Sequence, residues 1–414
     1  MIVGAGAAGI GAGLALRARG IPFLILEAAD RIGGRAYTDK TTLPHRWDQG
    51  CAWLHCADVN PLVAWADRVG AEYETYDRVG RSRIWSKGLW LDHRARDRAQ
   101  AQITEAIEAV YAAAREGRDV PIADLFGQDR KCSAMARYVL KLLASEDPEG
   151  VSTLGYADYH DTEVNWLMVS GYGDLIDRMA AGLPIRRGTE VTAIAERPGG
   201  VSIHTVAGPI AARAAIVTAS TSVLLSGRLT LPLGAPQDLL ALMQDVPCGA
   251  YEKVALALTR LPFDTDGEGF VSVEPAGGGE PLGFQIGPAR QPVLIAHLAG
   301  STARALRCAG AAEMTAYAME RLTLAFGSDV RKLVVASAVT DWLNNPFVQG
   351  AYSHTRPGTA PNRHKMIALD TGPVVFAGEA FSRGWQATAH GAFQSGQDAA
   401  ARLAVTLDPR DRYS

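Results

Sequence analysis

The chain begins Met1-Ile2-Val3-Gly4-Ala5-Gly6-Ala7-Ala8-Gly9-Ile10, a short apolar run that enters a Gly-x-Gly-x-x-Gly turn and continues into the Ala/Leu-rich stretch Gly11 to Arg19. This order, strand then glycine turn then helix, restricts the fold more than any other feature of the sequence. Gly4 permits a tight turn, Gly6 lets backbone approach a pyrophosphate, and Gly9 lets helix and strand pack closely, with the helix N-terminus facing the anion. Ile21 to Glu27 reads as a second apolar strand, with Pro22 at its start, where a missing N–H is tolerated. Glu27 ends that strand about 20 residues past the turn, where a carboxylate accepts hydrogen bonds from an adenosine ribose. The turn asks for a dinucleotide, and by itself allows NAD or FAD.

At 414 residues the chain exceeds one ordinary core, so two domains of unequal size are expected. Its net charge of -3 and its 21% charged residues exclude a basic nucleic-acid binder and a polybasic membrane anchor. No uncharged apolar run is long enough to span a bilayer. A strand that starts at residue 1 leaves no room for a signal peptide in the chain as given, which reads as cytoplasmic. It is also an abrupt start for a buried parallel strand, so either the true start lies upstream or this strand is unusually short. The five cysteines, Cys51, Cys56, Cys132, Cys248 and Cys308, are odd in number and form no Cys-x-x-Cys pair, which argues against structural zinc and a disulfide framework. No metal site is expected, and oligomeric state is not encoded in any readable signal.

After the second strand, Arg31-Ile32-Gly33-Gly34-Arg35 is a basic, glycine-rich turn that could add backbone donors and charge to a diphosphate, or form a surface loop. Trp53-Leu54-His55 follows Trp47-Asp48-Gln49-Gly50, and Asn60-Pro61 opens a helical stretch from Leu62 to Val69. His55 reads as a pocket wall or as a satisfied core histidine. Ile103, Ile107, Val110, Tyr111 and Ala114 recur at helical spacing, and with Ser133 to Ala144 they predict a helical insertion over 97–144. The loop carrying Asp158, Asp161 and Glu163 could attract a cation or simply be solvated. Residues 190–196, 201–206 and 214–219 read as a β-meander followed by a strand returning to the first sheet. Glu252 to Leu258 reads as a strand carrying Lys253, and lysines on strands mostly face solvent. A hairpin turn is expected at Gly277-Gly278-Gly279 within the glycine-rich stretch 267–287, and a helix over 311–326.

Pro373 to Glu379 is a further strand ending in glycine and an acid, ahead of a Gly/Ala-rich helix that starts near Thr388-Ala389-His390-Gly391-Ala392. That helix N-terminus could set its partial positive charge against the pyrimidine edge of a reduced flavin. An N-terminal dinucleotide fold completed by a C-terminal strand and helix favours FAD, which is long enough to cross the domain. These segments, taken with Trp342, Gly350-Ala351-Tyr352 and Pro357-Gly358, resemble the flavin-containing amine oxidases, the family of monoamine oxidases, polyamine oxidases and lysine-specific histone demethylases. The matching residues run in the family's order over nearly the whole chain.

The resemblance implies an α/β fold in which a Rossmann-like FAD-binding domain (1–75, 165–245 and 365–414) is interleaved with a mixed α+β substrate-binding domain (76–164 and 246–364). It implies that Gly4, Gly6, Gly9, Glu27, Arg31, Gly33, Gly34 and Arg35 hold the ADP half of FAD, that Val191 meets the adenine through its backbone, and that Gly378 and Glu379 serve the ribitol side. Lys253 matches the lysine that holds a water near flavin N5, Tyr352 matches one wall of the aromatic cage, and His55 resembles the Trp-x-His element of polyamine oxidases. The residue before the cage tyrosine, a flavin-bonded cysteine in monoamine oxidases, is Ala351, which has no nucleophile, so FAD is expected to be non-covalent. The second cage tyrosine is replaced by Thr388, which leaves the cage half open unless Trp385 fills it. The implied reaction takes a small-molecule amine and O2, with neither nucleic acid nor membrane as partner. Two other readings keep the FAD fold: a carbon–carbon desaturase of carotenoid or porphyrinogen type, and a FAD-binding protein with no turnover of its own.

Overall fold

In the computed structural model the described residues are 1–75, 82–127, 131–232, 237–262 and 269–407. Residues 76–81 of the expected second domain, 267–268 of the glycine-rich stretch and 408–414 at the C-terminal end lie outside them.

Five strands form a parallel sheet in the spatial order Ile185–Arg186, Ile25–Leu26, Ile2–Val3, Ala215–Val217 and Val374–Phe376. The first strand is two residues long in this chain, and its backbone pairs on both sides, Ile2 with Ile25 and with Ile216. Sequence-distant segments therefore build one sheet, and the strand before Glu379 sits at its edge, as expected for an N-terminal fold closed by the C-terminus. The meander is also present, as Val191–Arg197, Gly200–Thr205 and Gly208–Ala212 in one antiparallel sheet.

Two helices lie together against this parallel sheet, Ala7–Ala18 after the glycine turn and Ala389–Leu407 near the other end of the chain. They approach closely because glycines stand at the crossing. A Cβ on Gly11 would lie 2.3 Å from the Phe393 carbonyl oxygen, and one on Gly396 would lie 1.9 Å from that of Ala8. Both obstacles are backbone, which cannot rotate away.

A second sheet of seven strands runs in the order Val334–Val339, Tyr251–Leu258, Val293–Ala299, Leu282–Ile286, Gly269–Glu274, Arg83–Ser86 and Leu89–Trp90. All its pairings are antiparallel except that of Gly269–Glu274 with Arg83–Ser86. The hairpin expected at Gly277 to Gly279 joins two of these strands. Side chains alternate across a sheet. Val254, Leu256, Leu294, Ala296 and Leu298 pack on the helix Ala311–Phe326, through Met314, Ala318 and Leu322. The opposite parity, Tyr251, Lys253 and His297, is left for the other face. Over part of that face lie the helices His93–Arg115 and Ala134–Ala144, the expected insertion, which form a core of their own around Val110, Ile122 and Leu140.

Among the described residues no helix is long and apolar enough to cross a membrane.

Gly396→Ala tests the helix crossing. Propensity alone favours alanine over glycine inside a helix by about 1 kcal/mol. The clash with Ala8 backbone is expected to reverse that sign and cost about 1–3 kcal/mol, read as a lower urea midpoint at unchanged slope. A raised midpoint would show that the two helices do not need the glycine.

Candidate active site

One cavity of about 1500 Å³ runs from the glycine turn to the cavity-facing side of the seven-stranded sheet. At its first end Gly4 adopts φ 101°, and a Cβ there would sit 2.4 Å from Thr218 Oγ1. Gly6 is the N-cap of the helix Ala7–Ala18 and supplies no side-chain cap, so the first-turn N–H groups are left for a ligand. A Cβ on Gly6 would meet nothing nearer than Gly33 O at 3.8 Å, which leaves a cradle open beside the turn. Glu27 is buried, its carboxylate accepting from Ala5 N at 2.7 Å and Ala29 N at 2.9 Å. Burial pushes its carboxyl above the usual range despite these bonds. Gly33 and Gly34 are left-handed, at φ 92° and 58°, and Gly33 bridges to Gly6. Arg31 lies over the Tyr37 ring at 4.1 Å and donates to Gly34 O at 2.8 Å. Val191 borders the same end at the start of its strand.

Gly9 and Arg35, both expected at the ADP half, make the following protein contacts. Gly9 does not line the cavity; a Cβ there would lie 1.9 Å from Gly4 O, so it serves the helix–strand contact. Arg35 turns toward the opposite end, where it donates to Glu379 Oε1 at 3.0 Å and to the Ala351 carbonyl.

Glu379 is the junction of that end. It is 5% exposed, and besides Arg35 it accepts from Ser353 N, from Ser353 Oγ at 2.7 Å and from Ala387 N at 3.0 Å. Arg363, buried behind it, donates to Ser353 Oγ at 3.0 Å and to Ala380 O at 2.9 Å. Burial alone pushes Glu379 up, but Arg35, Arg363 and the Ser353 bond outweigh it and hold the carboxyl below the usual range. Both carboxylate oxygens are already engaged by protein, so the side chain orders the site walls, and Gly378 beside it lines the cavity.

At the sheet end Lys253 is 5% exposed, contrary to the usual fate of a strand lysine. Its Nζ donates to Asp48 O at 2.9 Å and Gly50 O at 2.6 Å. Burial lowers its pKa to about 8, with Asp48 opposing the shift. His297 faces it across the strand pair, and burial, then the lysine charge, drives that ring down to about 3, so it is neutral. Tyr251, two residues before Lys253 and so on the same face, lies 2.9 Å from His297 Nδ1 through its hydroxyl and 5.8 Å from the Tyr352 ring. Tyr352 lines the cavity and donates its hydroxyl to the Leu142 carbonyl, which ties the cage wall to the helical insertion.

His55 lines the cavity, its Nδ1 2.6 Å from Asn165 Oδ1. Thr388 lines it as well, its hydroxyl donating to Trp385 O at 2.7 Å and accepting from Gly391 N at 3.0 Å at the helix start. Trp385 does not fill the gap in the cage. Its indole packs on His390 at 5.5 Å and is absent from the cavity lining. Sequence reasoning missed Tyr251, although the strand's period of two places it beside Lys253. It also missed His297, Tyr138 and Gln285, which reach the wall by pairings that no local signal encodes. Among the described residues no group of His, Cys, Asp or Glu could hold a metal ion, and all five cysteines are free thiols.

A parallel sheet of dinucleotide-binding type with an open glycine cradle is joined by one cavity to a buried lysine and an aromatic wall. The family model for flavin containing amine oxidoreductases matches residues 7–404, and the chain belongs to that family. It is 24% identical over 442 residues to lysine-specific histone demethylase 2 of Homo sapiens, an alignment covering 98% of this chain and 53% of that protein. The chain thus spans about half the length of that relative. It is 26% identical to polyamine oxidase 2 of Arabidopsis thaliana, covering 97% of this chain and 86% of the other. Among solved structures it superposes on cyclohexylamine oxidase from Brevibacterium oxydans with a TM-score of 0.77 at 22% identity, over 98% of each chain. A redesigned putrescine oxidase gives the same score at 19% identity and the same coverage. These likenesses carry the fold. The family carries flavin.

Glu379→Gln tests the junction. Removing the charge leaves Arg35 and Arg363 without their counter-ion, at an expected cost of about 3 kcal/mol. Because the folded carboxyl lies below its unfolded value, its contribution is present above the unfolded pKa and is lost as pH falls through the folded one. The variant should therefore show a flatter acid limb in a stability profile from pH 6 downward. An equal acid limb would remove Glu379 from that role.

Proposed function

We propose that this chain is an FAD-dependent amine oxidase that takes a small-molecule amine and O2. The observation that supports this most directly is the continuity of the cavity, from the Gly4–Gly6 cradle at one end to Lys253 and Tyr352 at the other. A volume of about 1500 Å³ exceeds the roughly 300–1,000 Å³ of ordinary ligand pockets, as a long dinucleotide together with a substrate requires. The names of its relatives include polyamine, putrescine and cyclohexylamine oxidases, which point the same way. A flavin bound here would supply the hydride acceptor for oxidation of the amine to an imine, which water hydrolyses, with O2 as the final acceptor of the two electrons and two protons, giving H2O2.

In this reading the protein binds, orients and excludes water. The helix N-terminus at Gly6 and the Gly33-Gly34 backbone would hold the diphosphate, and Glu27 would accept from the ribose. Ala351 offers no nucleophile, so the cofactor is held without a covalent bond at that position. Tyr352, Tyr251 and Tyr138 wall the amine on one side, and Thr388 leaves the other side of the cage open, which admits a bulkier or longer amine than two facing tyrosines would. Lys253 holds its proton at Nζ beside the reacting region. Asp161 and Glu163, with His55, border the outer part of the cavity, where they favour a cationic group. The division into a cofactor part (1–75, 165–245, 365–414) and a substrate part (76–164, 246–364) belongs to this proposal, as does a cytoplasmic location.

Anaerobic mixing of the purified protein with an amine panel, followed by flavin absorbance, tests the reading. One amine class should bleach the flavin, and Lys253→Met should slow reduction by that class, or reoxidation by O2, at least about tenfold. A flavin that no amine bleaches would overturn the amine-oxidase reading and favour a desaturase or a non-catalytic protein.

A further inference from the structure

Lys253 Nζ is held by two carbonyls, those of Asp48 and Gly50, and both belong to one short segment. That segment is fixed in three ways. The Asp48 carboxylate accepts from the Thr38 hydroxyl and from Tyr172 N at 3.0 and 3.1 Å, the first residue of the helix Tyr172–Met179. The Gln49 carbonyl accepts from Trp342 Nε1 at 3.1 Å. Gly50 runs so close to Arg35 that a Cβ would lie 1.8 Å from its carbonyl oxygen. The Asp48 side chain is 9% exposed, and it bonds to no ligand-facing group; its bonds all go to the scaffold.

The groups facing Lys253 are few. Asp48 and Cys51 come from this segment and His297 from the neighbouring strand. Around Asp48 stand Lys253, Asp174 and the backbone of Tyr172. Cys51 is a thiol raised by burial, and His297 is neutral, so Asp48 is the counter-charge available to the lysine. We propose that Asp48 is the positioning residue for Lys253: its carboxylate fixes the backbone whose two carbonyls hold Nζ, and its negative charge keeps Nζ protonated at the cavity wall. The proposal takes from the functional reading only the placement of Lys253 beside the reacting region. Burial raises the Asp48 carboxyl to about 6, against the pull of Thr38, Tyr172 and Lys253, and lowers Lys253 to about 8. Between those values both are charged, and the pair is complete only in that window.

The test reads the lysine directly. The side-chain NMR signal of Lys253 is followed against pH in the flavin-bound protein as purified, with lysine labelled at Cε and the signal assigned by its loss in Lys253→Met. In the parent the midpoint is expected near 8, with a second, smaller step near 6 as Asp48 takes up its proton. Asp48→Asn keeps an oxygen for Thr38 and Tyr172 but removes the charge, and it should move the midpoint down by about one pH unit or more. An unmoved midpoint overturns the proposal. If Asp48→Asn does not fold, the parent decides: a step near 6 in the lysine signal supports the coupling, and a single transition overturns it. The outcome is independent of turnover, so a shifted lysine in a protein that no amine reduces would sink the amine-oxidase reading and leave this one standing. Where amines do reduce the flavin, the pH profile of reoxidation should shift in the same direction in Asp48→Asn, and a flat comparison would overturn the link to chemistry.

Discussion

The buried carboxylate of Glu379 is the interaction on which the rest of the site depends. It follows the last strand of the parallel sheet and receives donors from the basic turn near the N-terminus, through Arg35, from the Ser353 loop and from the start of the C-terminal helix, at Ala387. An unpaired charge at that depth would cost several kcal/mol, so the surrounding segments must close on it together. Arg363, from a different helix, meets the same cluster through Ser353 and Ala380. The fold thus brings the glycine-turn end of the cavity and its Tyr352 wall into register through one charged junction, because Ala351 and Tyr352 flank the bonds that Arg35 and Ser353 make.

The seven-stranded sheet answers a different constraint, that of being buried on both faces. A strand in that position cannot show a clean alternation of polar and apolar residues, and Tyr251–Leu258 does not. Its polar members Glu252 and Lys253 each find partners instead: Glu252 accepts from Thr340 and Leu343 N, and Lys253 donates to the Asp48 and Gly50 carbonyls. A buried lysine at a cavity wall is therefore a product of sheet topology and of the glycine turn at Gly50 together. Neither segment would place it alone.

How much of this is legible in the sequence follows from whether the signal is local. The Gly4 to Gly9 turn, the Glu27 terminus, the helix over 311–326 and the meander are written in adjacent residues, and the structure has them where the spacing puts them. Gly9 makes the close helix–strand contact that its motif position calls for, against the Gly4 backbone. The partners of Arg35 and Trp385, Glu379 and His390, are not legible locally, because they are fixed by three-dimensional closure and, for Trp385, by a turn in which Ala387 takes φ 64°. His297 could not be found from spacing at all, since its neighbour Lys253 lies on a strand 44 positions away and only the register Lys253 to His297 unites them.

The same closure couples the cofactor to stability. The helix crossing at Gly11 and Gly396 and the Arg35–Glu379 pair join the two ends of the described chain, and such contacts carry the entropy cost of closing long loops. The cavity lies between the segments so joined, so a ligand filling it would bind only the closed form. Binding of that kind adds stability by mass action, rising with ligand concentration relative to the dissociation constant. The residues that close the chain around the cavity, Glu379 first among them, therefore set the shape of the space that a bound flavin would share with the core.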